Sequence, residues 1–196
     1  MKIFLPIFVL FLFICCNQKS EKKNNNSKVK SEVKNDDFPS DSLSSLQKKV
    51  HTEILKIETE YWRTKDDAER DRIENQFRER ISKLISKSAK DKYLLQKFYI
   101  KVDRIRTFPG ENGKYHLRVR LKDRFIEYNM EISAESPEKL YETPLYKEVA
   151  QLKEGENKKI NMWYLADASM DINSQNRYQF QVVLLPDNYQ KFKKKK

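Results

Sequence analysis

Tyr115-His116-Leu117-Arg118-Val119-Arg120-Leu121-Lys122-Asp123-Arg124-Phe125-Ile126-Glu127-Tyr128-Asn129-Met130-Glu131-Ile132 is the stretch on which the fold turns. Tyr115, Leu117, Val119 and Leu121 alternate with His116, Arg118, Arg120 and Lys122, and Ile126, Tyr128, Met130 and Ile132 alternate with Phe125, Glu127, Asn129 and Glu131. A period of two is the signature of half-buried strands. A two-residue turn at Lys122-Asp123 sets Leu121 against Arg124, Val119 against Ile126, Leu117 against Tyr128 and Tyr115 against Met130. On the other face the same register opposes Arg118 to Glu127 and Lys114 to Glu131, so apolar pattern and charge pairing agree. A slightly longer loop is the alternative, because Lys-Asp is an imperfect pair for so tight a turn.

Upstream, Phe98, Ile100 and Val102 alternate with Tyr99, Lys101 and Asp103, and Pro109-Gly110-Glu111-Asn112-Gly113 is the strongest turn signal in the chain. Downstream, Ser136-Pro137-Glu138 starts a helix with Leu140, Leu145, Val149 and Leu152 on its buried face, broken or restarted at Pro144. Two further alternating segments follow, Ile160, Met162 and Tyr164, then Tyr178, Phe180, Val182 and Leu184. Between them lies a polar loop from Asp167 to Arg177, and Pro186 stops the last strand.

Three strands, a helix and two strands is the element order of an OB-fold, a small Greek-key barrel. The segment resembles the OB-like domains of some exported bacterial proteins, and Leu152-Lys153-Glu154-Gly155-Glu156 is similar to their step into the fourth strand. The expected fold class is therefore α+β: an N-terminal helical hairpin (41–93) followed by a five-stranded antiparallel OB-like barrel (94–188). An open antiparallel sheet with packed helices is the alternative.

The helical segment carries two series of apolar residues, stepping by three or four. They are Leu43, Leu46, Val50, Ile54, Ile57 and Tyr61, then Ile73, Phe77, Ile81, Leu84 and Ile85. Asp41-Ser42 caps the first, and Thr64-Lys65-Asp66-Asp67 has the form of a capping box before the second. Two helices, 41–63 and 66–90, or one long bent helix satisfy the pattern. The face with Glu53, Glu58, Glu60, Arg70, Arg78 and Arg80 reads as solvated, His51 as a helix-surface residue, and Tyr61, Trp62 and Trp163 as packing residues.

The N-terminus opens with Lys2, a twelve-residue apolar run Ile3–Ile14 and Cys15-Cys16. The run is too short to span a hydrocarbon core of roughly 30 Å, and it has the layout of a secretory signal. With Phe13 and Cys15 at the upstream positions, residues 1–16 resemble a bacterial lipoprotein signal with a relaxed lipobox. That resemblance implies lipidation at Cys16, whose preceding residue is small; Cys15, a plain cleaved signal and an uncleaved anchor remain alternatives. It also implies a membrane-anchored protein of the cell envelope, periplasmic or surface-exposed. Both cysteines sit in this leader, so the folded part can form no disulfide.

Residues 17–40 are nearly devoid of apolar side chains and read as a disordered tether reaching roughly 25–30 Å; 189–196 is a basic tail. Of the net charge of +11, Lys2 carries +1, Asn17–Ser40 +2 and the tail lysines +5, which leaves +3 for residues 41–190. Cations concentrated in tails rather than on a folded face argue against a nucleic-acid partner.

No phosphate loop, HExxH or GxSxG occurs, and two histidines are the whole complement. The expectation is a protein without catalytic residues, metal or cofactor. Turn chemistry accounts for the polar loop holding Asp171 and Asn173. The solvent side of the first three strands, with Tyr99, Lys101, His116, Arg118, Arg120 and Phe125, is the candidate recognition surface. Two roles suit the chain: a non-enzymatic envelope lipoprotein working through protein contacts as adaptor or assembly component, or a binding module for an oligosaccharide or other anionic envelope ligand on that strand face.

Overall fold

Helix begins where Ser44 can accept a hydrogen bond from the Gln47 N–H, at 3.2 Å, so α1 spans Ser45–Arg63; the expected cap at Asp41-Ser42 is instead part of a 3-10 turn, Ser40–Ser42. The chain leaves helix at 64–66 and re-enters it at α2, Asp67–Ser88, capped by Asp66 rather than Thr64. The computed structural model describes residues 38–185 except 90 and 92. The chain divides into Met1–Lys34, outside those residues, and Asn35–Lys196, which contains all of them. The signal and Cys16, most of the tether and the basic tail therefore lie outside the described residues. Among the described residues no helix is long and apolar enough to cross a membrane.

Five strands follow: β1 (Leu94–Pro109), β2 (Tyr115–Lys122), β3 (Ile126–Ala134), β4 (Asn157–Met170) and β5 (Tyr178–Leu185), with α3 (Pro137–Glu142) and α4 (Pro144–Val149) between β3 and β4. They close in the order β1-β2-β3-β5-β4 and back to β1. Closure rules out the open sheet. The barrel is mixed rather than purely antiparallel, because β5 returns from its antiparallel pairing with β4 to lie parallel to β3.

β1 is long enough to serve two neighbours. Its first half pairs with β4 and its second with β2, and a bulge between Val102 and Arg104 turns it from one to the other. The Leu152–Glu156 step seals that corner: Val102 exchanges backbone hydrogen bonds with Gly155 and Glu156, each at 2.8 Å, and the Glu154 carboxylate accepts from the Ile105 N–H at 2.7 Å. Gly155 sits there at φ +84°, a conformation a side chain would strain.

The β2–β3 register differs from the expected one by four residues on β3, because the two-residue turn sits two residues further along the chain. Leu121 faces Tyr128, Val119 faces Met130, Leu117 faces Ile132 and Tyr115 faces Ala134. Asp123 and Ile126 close the turn, and the loop residues are Arg124-Phe125. The cause is the Asp123 side chain, whose Oδ1 accepts from both the Phe125 and Ile126 N–H groups at 2.9 Å. Each apolar residue keeps its face, but Arg118 now opposes Glu131, and Lys122 opposes Glu127.

The barrel core is built on Phe98, Tyr128, Tyr164 and Phe180, with the last ring 5.7 and 5.3 Å from those of Tyr128 and Tyr164. Phe77 of α2 stacks on Tyr178 at 5.5 Å, and Val50, Ile54 and Ile57 of α1 join the same core. The expected β4–β5 loop is shorter than 167–177, since β4 continues through buried Ala168 to Met170 after an irregularity at Ala166. The supposedly solvated helix face makes ties: Arg80 bridges Glu53 and Glu60, Glu58 accepts from Arg177 at 2.8 Å, and Arg78 pairs with Asp167 at 2.9 Å. Trp62, expected to pack, is instead 58% exposed.

Candidate ligand-binding face of the barrel

After its bulge, β1 runs antiparallel to β2, and residues directly opposite share a face. The pairs on the outer face are Lys101–Lys122, Arg104–Arg120, Arg106–Arg118 and Phe108–His116. Three successive like-charged pairs across one ladder cost stability, and nothing in the packing of the core requires them. A groove of about 530 Å³ runs between the strands, lined by Arg104, Arg106, Thr107, Phe108, Arg118 and Arg120, within the size range of ligand sites.

The arginines on β2 are already held. Arg118 donates twice to Glu131 Oε2, at 2.9 and 2.7 Å, and Arg120 donates to Asp103 Oδ2 at 2.6 Å with Glu127 Oε2 at 3.7 Å. The Arg118 hydrogen bond holds the Glu131 carboxyl below its ordinary pKa. Burial tends to raise that of Asp103, but hydrogen bonds from Lys122 and Arg120 outweigh it and the net direction is down. Both acids are thus fixed as anions that position the β2 cations. Arg104 and Arg106, both exposed on β1, have no ion-pair partner among the described residues.

At the far end His116 stacks on Phe108, with centroids 5.3 Å apart and planes within 11°, and the Arg118 guanidinium lies 5.1 Å from the Phe108 centroid. His116 Nδ1 lies 2.9 Å from Glu131 Oε1 and 3.0 Å from Ser133 Oγ. Gly110 makes the close approach possible, since a Cβ there would fall 2.0 Å from His116 Nε2.

Of the six candidates, the structure gathers His116, Arg118 and Arg120, with Lys101 at the end of the same ladder. Tyr99 and Phe125 are elsewhere. The Gln47 side-chain amide pairs with both backbone groups of Tyr99, at 2.8 and 2.9 Å, and the Tyr99 ring meets Phe38. Phe125, at the β2–β3 turn, packs edge-on to His51 at 4.9 Å. His51 itself is buried, not on the helix surface: its Nε2 lies 2.8 Å from Asp123 Oδ2, which also accepts from Gln47 at 2.9 Å and from the Tyr128 hydroxyl at 2.7 Å. Gln47 and His51 are one helical turn apart and point inward with Leu46 and Val50, a polar pair that an apolar count passes over.

Arg104, Arg106 and Phe108 were absent from the candidates. The signal for them is the alternation Arg104, Arg106, Phe108 against Ile105 and Thr107, in a frame reset by the bulge. Among the described residues, no group of three or more His, Cys, Asp and Glu side chains is placed to hold a metal ion. No family model matches the chain, and neither a curated protein nor a solved structure is significantly similar to it.

Proposed function

We propose that this chain is a non-enzymatic binding module of the cell envelope, an OB-like barrel preceded by a helical hairpin and anchored through a lipid on Cys16. Its ligand is anionic and binds across the outer face of β1 and β2. The observation that supports this best is the run of cationic cross-strand pairs with Arg104 and Arg106 left uncompensated, a cost that an anion in the groove would offset. The β2 arginines, already oriented by Glu131 and Asp103, lose little freedom on binding.

Retention of the intact protein on immobilised heparin tests the reading. Arg104→Ala/Arg106→Ala is expected to elute at distinctly lower salt than the parent, whereas Lys83→Ala/Lys87→Ala, an equal loss of charge from exposed positions on α2, leaves elution close to that of the parent. Equal shifts for the two variants would reduce the effect to net charge.

A second reading, an adaptor acting through protein contacts, is supported by Leu55 and Trp62, 46% and 58% exposed and seven residues apart on α1. A photo-crosslinker at Thr59, between them, would trap one discrete partner under this reading and none if the barrel face alone is functional.

A further inference from the structure

The cationic groove has a neighbour of different chemistry. A second groove of about 320 Å³ continues across β2, β3 and β5, and Arg118 and Arg120 line both. On the β1 side are Arg104 and Arg106, exposed and without ion-pair partners among the described residues. On the β3–β5 side stand two carboxylates, Glu127 and Glu131, the latter opposite Arg118, together with the amides of Asn129, Gln179 and Gln181. Asn129 Nδ2 donates to Glu127 Oε1 at 3.1 Å. The side chains of Gln179 and Gln181 project from the outer, half-buried positions of β5, and neither has a hydrogen bond to protein among the described residues.

A ligand that crosses both grooves must suit both. A chain charged uniformly along its length would bring anionic groups beside Glu127 and Glu131, where like charge repels. Hydroxyl groups have no such conflict, because carboxylates accept from them and amides both accept and donate. Phe108, at the cationic end, offers an apolar surface of the kind that the C–H face of a sugar ring can cover.

Resting on the anion-binding reading above, we infer that this face is a composite site for an acidic oligosaccharide. Its anionic substituents, sulfate, phosphate or carboxylate, lie among Arg104, Arg106 and the β2 arginines, and a neutral hydroxyl-bearing unit lies over Gln179 and Gln181. The acids of β3 then have two tasks: they hold Arg118 and Arg120 in place, and they turn away ligands that are charged throughout.

Titration calorimetry with the intact protein tests this, using as probes a keratan sulfate hexasaccharide sulfated only on its N-acetylglucosamine units, so that every galactose is neutral, and a linear polyphosphate of comparable length, charged at every unit. The hexasaccharide is expected to bind at least tenfold more tightly. Gln179→Ala/Gln181→Ala should weaken the hexasaccharide several-fold and leave polyphosphate within twofold, whereas Arg104→Ala/Arg106→Ala should weaken both, each variant first being checked for parental circular dichroism. Polyphosphate binding as tightly as the glycan, or a glutamine variant that treats the two probes alike, would overturn the composite site while leaving anion binding intact. Failure of both probes to bind the parent would overturn the anion-binding reading itself, and this inference with it.

Discussion

Asp123 is the residue on which most of the local structure depends. Its carboxylate is buried and accepts from two backbone N–H groups of the turn it opens, from Gln47 and from the Tyr128 hydroxyl, with His51 at 2.8 Å. Burial pushes its pKa up, but the hydrogen bonds from His51, Gln47 and the Phe125 N–H outweigh burial and hold the carboxyl below its ordinary value. The folded value therefore lies below the unfolded one of about 4. Its contribution to stability is present in full above that pH and is lost as pH falls through the folded value. Asp123→Ala should cost roughly 3 kcal/mol at neutral pH, since it leaves several buried donors without an acceptor. Denaturant midpoints measured from pH 7 to pH 2 should fall less steeply for the variant than for the parent; parallel curves would show that Asp123 does not control the acid limb.

At the scale of elements, one inserted residue explains what could and could not be read in advance. Phe98, Ile100 and Val102 face inward, but after the bulge at Asp103 the inward phase passes to the half-buried Ile105, and Thr107, which follows it opposite Leu117, is already exposed. The even positions, Arg104, Arg106 and Phe108, then point out, and a fixed alternation taken from Phe98 loses the strand just where the groove begins. The faces of β2 and β3 were legible because a register error of four residues, an even number, leaves every side chain on its own side. The register itself was not, because it depends on the Asp123 side chain, which no apolar period reports. Tyr99 escaped for a related reason: the Gln47 amide takes the place of a strand beside it, a tertiary substitution with no local signal. The turn after β1 allows a direct test. Gly110→Ala should displace the His116 ring from Phe108 and lower stability by about 1–2 kcal/mol, visible as a shifted His116 ring resonance and a reduced Tm; an unmoved resonance would mean that the turn, not the ring, gives way.

Across the whole molecule, the helices and the barrel divide the surface. α1 is engaged at Tyr99 and Asp123, and α2 at Tyr178 and at Tyr164, whose hydroxyl lies 3.1 Å from Ser82 Oγ. Arg177 and Asp167 add ion pairs between helices and strands at the β4–β5 end. The arginine pairs of β1 and β2 are left to solvent. The order of strands and the approximate extent of the barrel were legible because alternation, turn residues and a proline-started helix occur in sequence. The parallel β3–β5 contact was not, since it joins strands distant in the chain. The proposed anchor is tested by the mass of the mature protein purified from membranes: a chain starting at Cys16 with added acyl mass is expected, and an unmodified chain retaining residues 1–15 would contradict lipidation.

The central claim is that the outer face of β1 and β2 receives an anion. Amide and guanidinium chemical shifts followed by NMR during titration with a sulfated oligosaccharide test it most directly. The account predicts perturbations concentrated at 104–108 and 116–122, with Arg104 and Arg106 Nε–H signals moving first and the movement weakening at high salt. Perturbations centred on Leu55 and Trp62, or none at all, would contradict it.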